Sequence, residues 1–317
     1  MEIVQAASVL KTIKENINKV MIGKSEVIDL VLTALLSGGH ILLEDVPGTG
    51  KTKLAKSLAR SLDLPFSRIQ FTPDLLPSDI TGIHYYNQKQ GEFVYREGPV
   101  FANIVLADEI NRATPRTQSS LLECMEEKQV TVDGETKRLE EPFLVIATQN
   151  PIETAGTYPL PEAQLDRFLM QLSMGLPKES EELQMIERFI KGDPFDEIEP
   201  VCSKDTLLSM SRVHREVFVH TAVREYILAL ITRTRNHDKI KLGVSPRGTL
   251  AFVKAVQAYA VVQGRSYVVP EDVKVLAAPV MAHRVVMYGG INRAQNTVNT
   301  IKEILDQVPV PTENWEK

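Results

Sequence analysis

Apolar residues recur at Ile3, Ala6, Ala7, Val9, Leu10, Ile13, Ile17 and Val20. That spacing predicts an amphipathic helix over 3–20. A second helix is predicted over 25–37, with Ser25 as its cap and Gly38-Gly39 as its stop. The pattern then changes. The run at Ile41-Leu42-Leu43 and the runs at 67–71, 103–107, 143–148 and 168–172 are short and continuously apolar. Continuous runs suit strands covered on both faces, so these five predict a parallel sheet in a doubly wound α/β fold.

Two segments break that rhythm. Residues 83–95 carry strand-like runs around Gln90-Gly91, and residues 129–139 carry them around Asp133-Gly134. Both read as β-hairpins, the second with a strong turn signal. Beyond Pro177 strand-like runs nearly vanish. Helices are predicted over 178–191, 203–215, 221–236, 247–263, 270–285 and 292–307. The division that follows is an α/β domain over 1–192 and an all-helical domain over 193–317.

The first predicted strand leads into Asp45-Val46-Pro47-Gly48-Thr49-Gly50-Lys51-Thr52, and a helical pattern from Lys53 leaves it. Strand, glycine-rich loop and helix in this order make a phosphate-binding loop. Its glycines let backbone N–H groups turn inward, and the helix brings its positive end to the same spot. In this arrangement Lys51 reaches the β- and γ-phosphates, and the Thr52 hydroxyl binds Mg²⁺. The stretch Val46 to Lys53 is the expected nucleotide wrap. Asp45 departs from the usual first glycine, at a position where an extended residue is accommodated.

Ile104 to Ala107 form an apolar run ending in Asp108-Glu109. If this strand lies beside the phosphate-loop strand, Asp108 falls near Thr52 and holds Mg²⁺, while Glu109 polarises an attacking water. The run 143–148 ends at Gln149-Asn150-Pro151, where an amide can bond both phosphate and water. Ser245-Pro246-Arg247 opens a later helix, with Ser245 as cap, Pro246 in the first position and Arg247 in the first turn.

The chain has 317 residues, 43% hydrophobic and 24% charged, with net charge −5. The acidic balance argues against a dedicated nucleic-acid binder. Two cysteines without metal-like spacing fit a reducing compartment. No run spans a bilayer, so a cytoplasmic protein without a membrane span is expected.

Together these motifs resemble the AAA+ ATPases, and more specifically the MoxR family, in the clade with a helix-2 insert and a pre-sensor hairpin. The resemblance also rests on Leu121 to Glu127, Ala147 to Pro151 and Leu160 to Phe168. It implies a P-loop core with a helical lid, ATP and Mg²⁺ bound between them, and a ring, expected to be a hexamer. It matches Asn150 to sensor 1, Arg167 to the arginine finger that reaches a neighbouring subunit, and Arg247 to sensor 2. Arg112 and Arg116 lie on the interface side of such folds. Ile22-Gly23 resembles the segment lining the adenine. The family implies chaperone-like remodelling with a von Willebrand factor A-type partner. Two other readings stand beside it: an ATP-dependent assembly switch with slow hydrolysis, and a nucleic-acid-acting AAA+ protein, which the acidic balance disfavours.

Overall fold

All five runs become strands; four are buried on both faces, while the one at 67–71 becomes an edge strand with Arg68 and Gln70 exposed. The computed structural model describes residues 1–151, 156–290 and 294–311. The chain starts with α1 (Ile3–Asn18), α2 (Ser25–Ser37), β1 (Ile41–Glu44), α3 (Lys51–Ser61), β2 (Phe66–Gln70) and α4 (Pro77–Thr81). Next come β3 (Gly82–Asn87), β4 (Glu92–Glu97), β5 (Ile104–Asp108), α5 (Pro115–Glu127), β6 (Gln129–Val132), β7 (Glu135–Arg138) and β8 (Leu144–Gln149). After α6 (Glu162–Leu165) and β9 (Met170–Leu172) the chain is mainly helical: α7 (Glu179–Lys191), α8 (Lys204–Met210) and α9 (Thr221–Arg235). It ends with β10 (Ile240–Leu242), α10 (Pro246–Val262), α11 (Pro270–Met281), β11 (Val286–Met287) and α12 (Ala294–Gln307).

The large sheet is parallel, in the order β2-β5-β8-β1-β9. Successive side chains enter two different cores. Ile41, Leu43, Ile104, Leu106, Leu144 and Ile146 face one, with Leu54 and Leu58 of α3. Leu42, Val105, Ala107, Val145 and Ala147 face the other, with Leu121, Leu122 and Met125 of α5. Each fully buried Leu or Ile contributes about 1.5–3 kcal/mol of transfer energy. The first core runs on without a break into the helical region, where Phe252, Val256 and Leu276 join Ile13 and Leu32. α10 packs on α2 and α1 as well as on α11.

Both hairpins form. β3 pairs with β4, and β6 with β7 across Asp133-Gly134, whose φ values are 51° and 84°. Those positive values suit an Asp-Gly turn. The hairpins touch: His84 Nδ1 lies 2.8 Å from Asp133 Oδ2, and the Lys137 ammonium sits 4.7 Å over the Tyr95 ring.

Several boundaries differ from expectation. α2 begins at Ser25, and Lys24 takes the cap position. The helix predicted over 203–215 ends at Met210, followed by a 3₁₀ turn over Val213–Glu216. There the Ser211 hydroxyl donates to Leu208 O at 2.8 Å, a side-chain bond that competes with helix continuation. β10 and β11 form a small antiparallel pair in a region predicted to be all helix. α12 starts at Ala294, and residues 292–293 of its predicted span lie outside the described residues.

Candidate nucleotide site

The phosphate loop leaves β1 and enters α3. Gly48 and Gly50 have φ of 86° and 94°, values that L side chains resist, which is why glycine is needed at both. A Cβ at Gly48 would meet nothing within 4 Å, so the outer face of the loop is open. Lys51 Nζ donates to Asp45 O at 2.9 Å and Val46 O at 3.3 Å, which draws the ammonium across the loop. Thr49 Oγ1 also donates to Val46 O, at 3.4 Å. Thr52 follows in the first turn of α3. Lys53, in the expected wrap, turns its ammonium to Asp193 Oδ2 at 2.5 Å and over the Phe195 ring.

Beside Gly48, Thr49 and Gly50 lies a slot lined by Val20, Met21, Ile22, Leu176, Met185 and Phe189. Gly23 follows Ile22 and packs against the Glu181 carboxylate. The far wall is α7 and the segment before it, and among the described residues none beyond Pro194 lines the slot. The connecting helix α7 closes the slot, together with Asp193 and Pro194.

The acidic pair sits at the carboxyl end of β5. The expectation that this strand lies beside the phosphate-loop strand is incorrect. β8 stands between them, pairing with both. β8 contributes Thr148, whose hydroxyl donates to Asp108 Oδ1 at 2.6 Å and accepts from the Glu109 N–H at 2.8 Å. Asp108 Oδ2 accepts from Arg68 Nη2 at 2.6 Å. Glu109 is held in the left-handed region (φ 57°, ψ 49°), a conformation that costs a non-glycine residue about 1–3 kcal/mol. Its Oε2 accepts from Gln70 Nε2 at 2.8 Å and Arg112 Nη1 at 3.0 Å. Asn150 follows the last residue of β8 and is buried.

The two remaining arginines lie elsewhere. Arg167 and Arg247 meet on one carboxylate of α5: Arg167 Nη2 is 3.2 Å from Glu126 Oε2, and Arg247 Nη2 is 2.9 Å from Glu126 Oε1. Arg167 Nη1 also donates to Leu122 O at 2.8 Å. They line a hollow with Lys128, Arg212, Arg215 and Lys254, in which no phosphate-loop residue takes part. Arg116 lies in the first turn of α5.

With this geometry in view, comparison with known proteins is informative. Residues 40–170 match the ATPase family associated with various cellular activities (AAA), and residues 232–308 match the AAA lid domain. The chain is 40% identical to Chaperone MoxR1 of Mycobacterium tuberculosis, over 94% of this chain and 81% of that one. It is a MoxR-family AAA+ ATPase. The protein YeaC of Bacillus subtilis is 50% identical, with 94% of each chain covered. The crystal structure of an ATPase candidate from Cytophaga hutchinsonii superposes with a TM-score of 0.89 at 38% identity, covering 98% of this chain and 97% of that one.

In this MoxR-family site, three contributors escaped sequence reasoning, Arg68, Gln70 and Thr148, and so did the bonds that Asp45 makes. A signal for two of them existed. Arg68 and Gln70 are polar with a spacing of two inside a run counted as apolar, which places both on one face of a strand. Asp45 is buried and accepts from Ser173 Oγ at 2.8 Å, Met174 N at 2.6 Å and Gly175 N at 3.1 Å. Lys24 Nζ donates to Met174 O at 2.6 Å and Gly175 O at 3.1 Å. The strap that leads from β9 to α7 is thus held from both sides. No local pattern announced this.

Proposed function

We propose that this chain hydrolyses ATP with Mg²⁺ as a ring, and that the cycle drives chaperone-like remodelling of protein complexes. The observation that carries this reading is the separation of parts. Loop, acidic pair and Asn150 lie at the carboxyl ends of neighbouring strands, while Arg167 and Arg247 share a different hollow. A site split in this way is completed by a second copy through a head-to-tail contact, which closes into a ring.

In this reading the slot at Met21, Ile22 and Phe189 takes the base. The N–H groups of Gly48 to Thr52 and the start of α3 hold the phosphates, with Lys51 on the β- and γ-oxygens. Thr52 and Asp108 would hold Mg²⁺. Among the described residues no three acidic, histidine or cysteine side chains converge, so the protein offers one hydroxyl and one carboxylate rather than a cage. That donor set fits an ion that keeps waters and takes further oxygens from phosphates. When bound, Mg²⁺ offsets negative charge on the phosphate oxygens.

Glu109 polarises the attacking water once released from Gln70 and Arg112, and Asn150 orients it. Arg167 and Arg247 of the adjacent subunit stabilise charge on the transferred phosphoryl group, where an arginine finger is worth about 10³–10⁵ in rate. Glu126 holds both guanidinium groups together. The chaperone-like role is supported by the likeness to Chaperone MoxR1.

The test is ATP turnover against protein concentration, with light-scattering mass in ATP, for wild type, Glu109→Gln and Arg167→Ala. Specific activity rising with concentration, mass growing toward a ring, and loss of turnover in both variants support the shared site. Turnover by a monomer, unaffected by Arg167→Ala, refutes it. Assembly without appreciable turnover makes the protein a switch.

A further inference from the structure

Asp166 lies one residue before Arg167, between α6 and β9, and both its oxygens are engaged. Oδ1 accepts from Arg284 Nε at 2.7 Å, and Oδ2 accepts from the Ser245 hydroxyl at 3.2 Å. Ser245 caps α10, its oxygen accepting from Gly248 N at 3.1 Å, and Arg247 stands in the first turn of that helix. One carboxylate therefore reaches the helix that carries the second arginine.

Arg284 fastens the other side. It is 7% exposed, and its remaining N–H groups reach backbone carbonyls, Nη2 to Phe168 O at 2.6 Å and Nη1 to Leu169 O at 3.0 Å and to Val280 O, with His283 beside Nη1. The buried His283 Nε2 lies 3.1 Å from Phe168 O and 2.8 Å from Arg284 Nη1. The end of α11 is thus bonded to the residues just after Arg167. Gly248 is required by this packing, since a Cβ there would lie 2.9 Å from Arg284 Cδ and 2.7 Å from Val244 Cγ1. In front, Glu126 holds Arg167 and Arg247 together. Two arginines far apart in sequence are bound into one closed circuit, and Asp166 is the member that touches both the finger segment and the lid.

We propose that Asp166 is a positioning residue that makes Arg167 and Arg247 a single two-arginine unit, presented together to the neighbouring subunit's nucleotide. This rests on the shared-site reading above. A buried guanidinium that loses its partner carboxylate is strongly disfavoured. Removing the Asp166 charge therefore drives Arg284 off Phe168 and Leu169, and α10 shifts with it. A displacement of about 1 Å at a catalytic group costs about a hundredfold in rate. The subunit's own loop and slot are untouched, because neither contains Asp166, Ser245 or Arg284.

The experiment is a mixing assay. Asp166→Asn keeps the size of the side chain and loses its charge. Its turnover should fall about a hundredfold, while a fluorescent ATP analogue binds within about twofold of wild type. Mixed in equal amounts with Lys51→Ala, it should recover to about a quarter of wild-type turnover, the share of interfaces that join an intact loop to an intact arginine pair when chains mix at random. Arg167→Ala is the reference and should behave alike. Ser245→Gly removes only the bond from α10, since glycine caps nearly as well, and it stands in for Asp166→Asn should that variant not fold. It too should lose turnover alone and regain it with Lys51→Ala.

Wild-type turnover in Asp166→Asn overturns the proposal. So does a loss that mixing does not restore, when Arg167→Ala is restored. If Arg167→Ala itself is not restored, the shared site falls and the positioning role falls with it.

Discussion

Asp45 stands where phosphate loops usually carry glycine, and its replacement by asparagine is a direct test of how the loop is tied to the rest of the site. Its carboxylate accepts three bonds from the strap between β9 and α7, at 2.6–3.1 Å, and is 6% exposed. Asparagine has one acceptor oxygen. Placed where Oδ1 now sits, it keeps Ser173 and Gly175, and turns its own NH₂ toward the Met174 N–H. One charge-assisted bond is lost and two donors face each other. Bonds to a charged group are worth about 1.5–3 kcal/mol, and a stranded buried donor costs about 1–3 kcal/mol. These overlap, so Asp45→Asn should destabilise by about 2–3 kcal/mol, a drop in Tm of roughly 3–5 °C for a chain of 317 residues. Ser173→Ala, which loses one neutral bond, should cost about 1 kcal/mol. Lys24 grips the same strap through its carbonyls, so Asp45→Asn and Lys24→Met should couple by more than about 0.5 kcal/mol in a double-mutant cycle. The assay is thermal and urea unfolding followed by circular dichroism. A loss below about 0.5 kcal/mol for Asp45→Asn, or strict additivity with Lys24→Met, would refute the clamp.

Thr148→Val keeps the shape of β8 but removes the hydroxyl between Asp108 and Glu109. It should cost about 2 kcal/mol in stability and lower turnover at least about tenfold through Glu109, with nucleotide binding little changed. Unchanged kcat would show that the Glu109 backbone needs no such anchor. His40 is fully buried, its Nε2 donating to Met125 O and its Nδ1 accepting from Val145 N at 3.0 Å, and burial pulls it down to about 4. The unfolded chain takes that proton near pH 6.5 and the folded one does not until about pH 4. Stability is therefore full above pH 6.5 and is lost as pH falls toward 4, by roughly 3 kcal/mol for this residue. Burial also pulls His214 to about 4 and His283 well below its ordinary value, so His40→Gln should remove only part of the slope in acid unfolding. His84→Ala, which breaks the bridge to the exposed Asp133, should change stability by less than about 1 kcal/mol. A larger loss would mean that the two hairpins fold as one unit.

Much of this molecule could be read without coordinates, because it is written in local patterns. Glycines at 48 and 50 are demanded by backbone angles, and Asp133-Gly134 by a turn, so both are visible in a few residues. The five apolar runs announced a sheet covered on both faces, and Ser245-Pro246 announced the start of α10. What adjacency in space decides was not visible. Strand order placed β8 between the loop and the acidic pair, and Thr148 on β8 became the link between Asp108 and Glu109. Polar residues used across elements, such as Asp45, Asp166 and Arg284, look like ordinary surface charge in sequence, since their partners lie far along the chain. The same holds for Arg167 and Arg247: sequence marked each separately, and only packing of the lid on the finger segment joined them on Glu126. Local backbone chemistry fixes elements and loops, whereas shared burial and long-range hydrogen bonds, which no short window contains, decide which of them work together.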